Sequence, residues 1–143
     1  EIIGLAMGKE GMPKSVEDRL IETEALLEKC SNLGIDKDNL YVDVIAMTIG
    51  SNQEQGRRVI DSVRSIKEKF EVKTNIGLSN ISFGLPRRGL VNRTAFAMLL
   101  EAGLDAALID PTDRDMMDTM KASEALLGVD KNCLNYLNYQ RKN

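Results

Sequence analysis

Polar side chains that could carry chemistry stand within or directly after short apolar runs of this sequence. Asp43 interrupts the run LYVDVIAM, and a buried carboxylate is costly unless it meets a partner or a ligand. The partner could be a neighbouring loop, through an ion pair or a cap. The ligand would be one that donates two hydrogen bonds from a single edge, as a guanidine-like heterocycle does. Both interpretations of Asp43 stay open from the residues alone.

Further polar residues follow the third and fourth apolar runs. Asn80 offers one acceptor and a pair of donors, so it could follow a protonation change at a ligand nitrogen, or it could simply occupy a turn or helix cap. Arg87 and Arg88 are either solvated charges or ligands for a carboxylate or a negatively charged ring. Asp110 precedes Pro111 and is either a rim residue or a cap at a helix entry.

The apolar runs themselves predict the strands that position these residues. They cover residues 2–7, 40–47, 74–79 and 106–110. Each run is too short for a helix and lacks the alternation of a half-exposed strand, which is typical of parallel strands buried on both faces.

Amphipathic stretches follow the runs and predict four helices. Three of these helices begin with a capping-box pattern, at Ser15, Ser51 and Thr112. Glycines predict three helix ends, at Gly34, Gly103 and Gly128.

A strand–helix unit repeated four times predicts an α/β fold of parallel units with right-handed crossovers. An open flavodoxin-like sheet is the alternative, but no glycine-rich phosphate loop follows the first strand, and GSNQEQGRR lacks the lysine of a P-loop. The unusual polar residues all follow strands, as they do at the rim of a TIM barrel where catalytic groups lie. Four units make about half of such a (β/α)8 barrel.

Composition excludes several classes of function. The 143 residues suffice for one domain with a core, and the net charge of −3 argues against a nucleic-acid partner. No apolar run approaches the length of a membrane span, so we expect no membrane partner and a cytoplasmic location. The sequence has no histidine, which removes His-based triads, and its two distant cysteines indicate no metal site.

Several motifs together resemble a known family. They are GLSNISFGLPRRGLVNRTAFAMLLEAGLDAALIDP, LYVDVIAM with the following NQEQG, AMGKEGMPKSVEDR and ALLGVDKNCLNY. They resemble the methyltetrahydrofolate:corrinoid protein methyltransferases, which belong to the pterin-binding barrels with dihydropteroate synthase and the folate domain of methionine synthase. The resemblance implies that residues 1–143 are the C-terminal half of a pterin-binding TIM barrel, its fifth to eighth β/α units.

The resemblance also implies roles for individual residues. Asp43 matches an aspartate that hydrogen-bonds the pterin ring, and Asn80 matches an asparagine near N5, the folate nitrogen that carries the methyl group. Gly77 and Ser79 match positions that line the pterin face, and Arg88 matches an arginine that contacts it. Dihydropteroate synthases have a lysine at the position of Asn80 and a histidine on the last strand, so this sequence disfavours synthase activity.

The activity implied is methyl transfer between tetrahydrofolate, or 5-methyltetrahydrofolate, and the cobalt of a corrinoid (cobalamin) held by a partner protein. The direction of transfer stays open. We expect a missing N-terminal half-barrel to supply the rest of the pocket. Four units alone leave parallel sheet edges exposed, so we expect the chain to associate. We also expect a homodimer. The alternatives are a catalytically silent pterin-binding or assembly module, a dihydropteroate synthase-like enzyme, and an unrelated α/β domain.

Overall fold

The computed structural model describes residues 1–9 and 11–142, in which four strands alternate with helices. The strands are β1 (Ile2–Leu5), β2 (Leu40–Asp43), β3 (Lys73–Gly77) and β4 (Ala106–Leu108). The α-helices are α1 (Val16–Asn32), α2 (Glu54–Phe70), α3 (Arg88–Glu101), α4 (Arg114–Leu126) and α5 (Leu134–Lys142). Short 3-10 turns lie at Lys37–Asn39, Leu78–Ser82 and Lys131–Cys133.

The four strands form one parallel sheet in the order β1-β2-β3-β4. An open doubly wound sheet reverses its strand order at a switch point, whereas a barrel adds each new strand beside the last. Contacts between successive helices, from α1 to α4, place these helices in one layer. The structure therefore confirms parallel β/α units in the arrangement of a partial TIM barrel.

The core lies between the sheet and this helical layer. Leu40, Val42 and Ile76 project from the strands into it and are fully buried, and they join Val63 of α2 and Leu99 of α3 in one cluster. Each such side chain contributes about 1.5–3 kcal/mol of stabilisation by leaving water. The helix-facing side of the sheet thus supplies the cohesion of the four units.

The opposite side of the sheet, called here the open face, is not covered by these helices. A side chain on Gly4 would meet Leu26 of α1, so its neighbours Ile3 and Leu5 point the other way, and both remain half exposed, at 51% and 50%. Leu108 is paired with Gly77 and is 62% exposed. The expectation of strands buried on both faces is therefore wrong for β1 and β4 in this chain, because helices cover only one face.

The three helix ends that the sequence predicts at glycines are confirmed, whereas two of the three predicted capping boxes at helix starts are not. Gly34, Gly103 and Gly128 all have positive φ after their helices. The capping box of Ser15 with Asp18 is confirmed in both directions.

The other two capping boxes are wrong. Asn52 accepts from the N–H of Glu54 through its side chain, so Ser51 does not cap α2. Asp113 caps α4 through the N–H of Met116.

The chain has one more helix than the periodicity predicts. Asp130 is buried and its carboxylate accepts the main-chain N–H groups of Asn135 and Tyr136, at 3.0 and 2.9 Å, which starts α5. No helix within residues 1–9 and 11–142 is long and apolar enough to cross a membrane.

Candidate functional site

The candidate site lies on the open face at the carboxyl ends of β2 and β3. Asp43 is the last residue of β2 and is 8% exposed. One carboxylate oxygen, Oδ1, accepts from the N–H of Ile45 at 2.9 Å, and the other, Oδ2, accepts from Nδ2 of Asn75 at 2.9 Å. Each oxygen keeps a further lone pair, so the group can still accept two hydrogen bonds from a ligand.

Burial raises the pKa of Asp43 above its ordinary value, and the hydrogen bonds from Ile45 and Asn75 act in the opposite direction. The ionised carboxylate is therefore strained by its loss of water, and a ligand that donates N–H groups to it relieves that strain. This electrostatic state favours a donor-rich ligand at Asp43. The sequence leaves open whether Asp43 meets an internal partner or a ligand. The structure shows an internal partner, Asn75, and leaves both carboxylate oxygens able to accept from a ligand as well.

The turn after β2 is held by a buried arginine that the sequence analysis did not single out. Arg19 of α1 is fully buried, and its guanidinium donates to the carbonyl oxygens of Val44 at 2.7 Å, Ile45 at 3.0 Å and Ser15 at 3.0 Å. Ile45 has φ of 57°, a left-handed conformation that is costly for a β-branched residue. Arg19 thus fixes the turn whose N–H group contacts Asp43.

The strand that leads to Asn80 ends earlier than the apolar run predicts. β3 stops at Gly77, and residues Leu78–Ser82 form a 3-10 turn, closed by the N–H of Phe83 bonding to the carbonyl of Asn80. The run continues in apolar residues because Leu78 and Ile81 pack into the core from the turn. The interpretation of residues 74–79 as strand is therefore wrong at its end.

Asn80 lies exposed on this turn, next to the open face. A Cβ built on Gly77 would lie 3.5 Å from Nδ2 of Asn80. Gly77 has the same strand parity as Asn75, whose side chain reaches Asp43, so the amide of Asn80 folds back toward the face that carries the carboxylate. Asp43 and Gly77 end their strands and the amide of Asn80 lies near Gly77, so the three residues lie at the carboxyl ends of β2 and β3.

Arg88 binds the turn that carries Asn80. Its Nη2 donates to the carbonyl and the hydroxyl of Ser79, both at 2.7 Å, and its Nε donates to the hydroxyl of Ser82 at 3.0 Å. The guanidinium also lies 5.8 Å from the ring centre of Phe83. Arg87 occupies the residue before α3 with φ of 51°. The hydrogen bonds between Arg88 and Ser79 give both residues a role in shaping the turn. Contact of either residue with a pterin stays a prediction.

Asp110 belongs to a turn after β4. Its Oδ1 accepts from the N–H and the hydroxyl of Thr112, at 2.8 and 2.7 Å, and the bond from the Thr112 hydroxyl is the main reason that the pKa of Asp110 lies below its ordinary value. Asp113 is the cap of α4. Asp110 therefore closes the β4–α4 turn and is not the cap of the helix.

Two site residues were missed by the sequence analysis although each left a signal. Asn75 is a polar residue inside a buried strand, two positions before Gly77 and so on the same face. Arg19 is a cation at helical spacing on the buried stripe of α1, which also contains Thr23 and Cys30. A charged or amide group at a core position costs free energy unless it is bonded, and that cost is the signal.

The fold and this rim define a β/α-barrel chain with a buried carboxylate and an amide at the carboxyl ends of adjacent strands. Residues 7–110 match the family model of pterin-binding enzymes, and the chain belongs to that family.

Comparison with individual proteins gives the same family. The chain is 31% identical over 137 residues to a methylcorrinoid:tetrahydrofolate methyltransferase of Eubacterium limosum, covering 95% of this chain and 51% of that protein. It is 34% and 32% identical, each over 116 residues, to methionine synthases of Mycobacterium leprae and Mycobacterium tuberculosis, covering 76% of this chain and 10% of each synthase. The chain thus spans about half the length of the Eubacterium relative.

Proposed function

We propose that this chain is half of a methyltransferase that moves a methyl group between N5 of tetrahydrofolate and the cobalt of a corrinoid protein. The observation that carries the proposal is the buried carboxylate of Asp43 at the end of β2 together with the exposed amide of Asn80 near Gly77, at the end of the adjacent strand β3. The name of the Eubacterium relative joins a corrinoid and tetrahydrofolate in one reaction, which supports the choice of substrates.

Asp43 binds the pterin in this proposal. The amino and ring N–H groups at one edge of a pterin form a two-donor, guanidine-like edge, and Asp43 has one free lone pair on each oxygen. Hydrogen bonds to a charged acceptor contribute about 1.5–3 kcal/mol each. Gly77 and Ser79 line the pterin face, and Gly77 leaves room there because it has no side chain.

Asn80 assists the transfer at N5. A tertiary amine is a poor leaving group, so N5 must be protonated when its bond to the methyl carbon breaks and the bonding electrons return to N5. The carbonyl oxygen of Asn80 accepts from the protonated N5, which stabilises positive charge where it develops and requires no strong acid. The electron pair that forms the new bond to the methyl carbon comes from the Co(I) of the partner's corrinoid. The reverse reaction uses the same groups.

A further half-barrel completes the site. Ile3, Leu5 and Leu108 leave apolar surface on the open face, and four additional β/α units would cover this surface and both sheet edges. In the proposal, residues 1–143 are the C-terminal half of the pterin-binding domain, and the N-terminal half supplies further contacts to the pterin. The complete barrel associates as a homodimer and receives the corrinoid protein at its rim.

The test replaces Asn80 with alanine in the protein that contains the complete barrel. Methyl transfer should fall by about 100-fold or more, because loss of one group that stabilises charge in a transition state has this size. The dissociation constant for 5-methyltetrahydrofolate should change by less than about threefold, since most of the pterin contacts remain. Transfer is followed by the absorbance of the Co(I) corrinoid, and binding by calorimetry.

The matched control is Asn39→Ala. Asn39 is an exposed asparagine in the turn before β2, at the amino end of the sheet and away from the rim. Turnover in this variant should equal that of the unchanged protein. Unchanged turnover in Asn80→Ala would refute the role of Asn80.

A further inference from the structure

We propose that Asn75 is a positioning residue which, together with the Ile45 turn held by Arg19, fixes the Asp43 carboxylate so that one lone pair of each oxygen faces the pterin. The inference rests on the proposed function, since it concerns the orientation of the group that binds the pterin. It adds two residues, Asn75 and Arg19, to which the resemblance assigns no role.

The first argument is the geometry of the Asn75 contact. Asp43 and Asn75 are register partners on adjacent strands, and Nδ2 of Asn75 lies 2.9 Å from Oδ2 of Asp43. Asn75 is 2% exposed, so its amide has given up water for this environment. A buried amide is stable only when it is hydrogen-bonded, and both ends of this bond are fixed by main-chain pairing. The contact therefore holds Oδ2 in one orientation.

The second argument is that Oδ1 is held separately by a turn that needs support. The N–H of Ile45 donates to Oδ1 at 2.9 Å, and the same turn holds Ile45 in a left-handed conformation. Backbone in that conformation costs about 1–3 kcal/mol and persists when its surroundings enforce it. Arg19 supplies that enforcement by donating to the carbonyl of Val44, which belongs to the same peptide unit as this N–H, and to the carbonyl of Ile45 in the next peptide unit.

The third argument is the free energy required to bury the charged side chain of Arg19. Within the described part of the chain, the three hydrogen bonds of this fully buried guanidinium go to main-chain carbonyls and not to a carboxylate. A buried cation without a carboxylate partner costs several kcal/mol of desolvation. If stability alone mattered, a leucine at this buried position of α1 would avoid the desolvation free energy of the guanidinium. Arg19 therefore suits a fold in which the position of the Ile45 turn matters.

Among the residues that the structure describes, the others on the open face near Asp43 make no hydrogen bond to its carboxylate, which is held by Asn75 and by the N–H of Ile45. Tyr41 and Lys73 share the open face but lie two residues nearer the amino ends of β2 and β3, and Nζ of Lys73 donates to the carbonyl of Asp38. Neighbours on β1 and β4 that share the face are apolar: Ile3, Leu5, Ala106 and Leu108.

The test is Asn75→Leu in the complete protein, which keeps the shape of the side chain and removes the donor. Two quantities are measured: the pKa of the Asp43 carboxyl in the ligand-free protein, by carbon-13 NMR, and the dissociation constant for 5-methyltetrahydrofolate between pH 5 and 9. Loss of a donor to a carboxylate raises its pKa, because the donor stabilised the ionised form. The pKa should rise, and affinity at pH 7 should fall by roughly tenfold.

The pH dependence of binding by Asn75→Leu should move to higher pH, following the raised pKa of Asp43, which a purely structural defect would not produce. The matched control is Thr74→Val, which removes a buried hydroxyl that bonds Asp105 on the opposite face of the same strand. It should lose stability without moving the pKa of Asp43 or the pH midpoint of binding. Asn75→Ser, a smaller change, should move the pKa in the same direction as Asn75→Leu.

Two outcomes overturn separate claims. An unchanged carboxyl pKa in both Asn75 variants refutes the positioning role, whatever the protein binds. A shifted pKa in a protein that binds no tetrahydrofolate at any pH supports the positioning role and refutes the proposed function. Equal shifts in Asn75→Leu and Thr74→Val would assign the effect to general loosening of β3 and also refute the positioning role.

Discussion

Replacing Asp43 with asparagine should weaken pterin binding and leave the fold as stable or more stable. Burial raises the pKa of Asp43, so the ionised form is less stable in the folded chain than in the unfolded one. This cost is absent below the ordinary pKa of an aspartate, where both states are protonated. It grows as pH rises and is complete above the raised pKa of the folded state.

The internal contacts of Asp43 survive the substitution. The new carbonyl oxygen can accept from the N–H of Ile45, and its amide can donate to the oxygen of Asn75 once the Asn75 amide turns over. The remaining N–H of the new amide then faces the N–H groups of the pterin edge, so two hydrogen-bond donors face each other without an acceptor. One hydrogen bond to a charged acceptor is lost and the other becomes a weaker bond to a neutral oxygen, which together cost about 3 kcal/mol. That loss corresponds to about 100-fold in the dissociation constant.

Calorimetry with 5-methyltetrahydrofolate measures the first effect, and urea unfolding at acid and neutral pH measures the second. The free energy of unfolding of Asp43→Asn, relative to the unchanged protein, should increase from acid to neutral pH. Asp110→Asn is the matched control with the opposite sign, because the Thr112 hydroxyl lowers the pKa of Asp110 and its stabilisation is lost as pH falls. Undiminished affinity in Asp43→Asn, or a stability difference that shrinks toward neutral pH, would refute the reasoning.

Two further predictions concern the rim turn and the open face. Arg88→Ala removes the bonds to Ser79 and Ser82 that hold the turn of Asn80, so kcat for methyl transfer should fall by about tenfold with a smaller change in KM. The control variant Arg87→Ala should change kcat and KM by less than about twofold. Equal effects of the two substitutions would contradict this role of Arg88. Leu108, now 62% exposed, would be buried by the proposed second half-barrel, so Leu108→Asp should destabilise the complete protein by about 2 kcal/mol or more. A urea midpoint unchanged by Leu108→Asp would show that the open face stays open.

The alternation of apolar runs and amphipathic stretches predicts the β/α units because each signal depends on local spacing. The strand at Asp43 and the rim position of Asn80 follow from the same spacing. The end of β3 does not, because Leu78 and Ile81 enter the core from a 3-10 turn and look like strand in the sequence. The start of α2 does not follow from the sequence either, because Gln53, the residue before the helix, makes no capping bond with its side chain, while the side chain of Asn52 accepts the N–H of Glu54.

Roles that depend on tertiary contacts lay beyond the sequence. The environment of Asp43 requires the register of β2 with β3, which places Asn75 beside it, and the conformation of Ile45, which no neighbouring residue type dictates. Arg19 meets the carbonyl of Val44 across 25 residues of chain. Helix α5 has only nine residues, begins at the capping carboxylate of Asp130 and follows α4 with no strand between them, so the alternation of strands and helices did not reveal it.

Methyl transfer by the complete protein tests the central claim most directly. The protein is mixed with 5-methyltetrahydrofolate and a Co(I) corrinoid protein under anaerobic conditions, and the cobalt spectrum and tetrahydrofolate are followed together. The proposal predicts that methyl-corrinoid and tetrahydrofolate form in equal amounts, and that Asn80→Ala slows both by about 100-fold or more. Pterin binding without any transfer of the methyl group, in either direction, would contradict it.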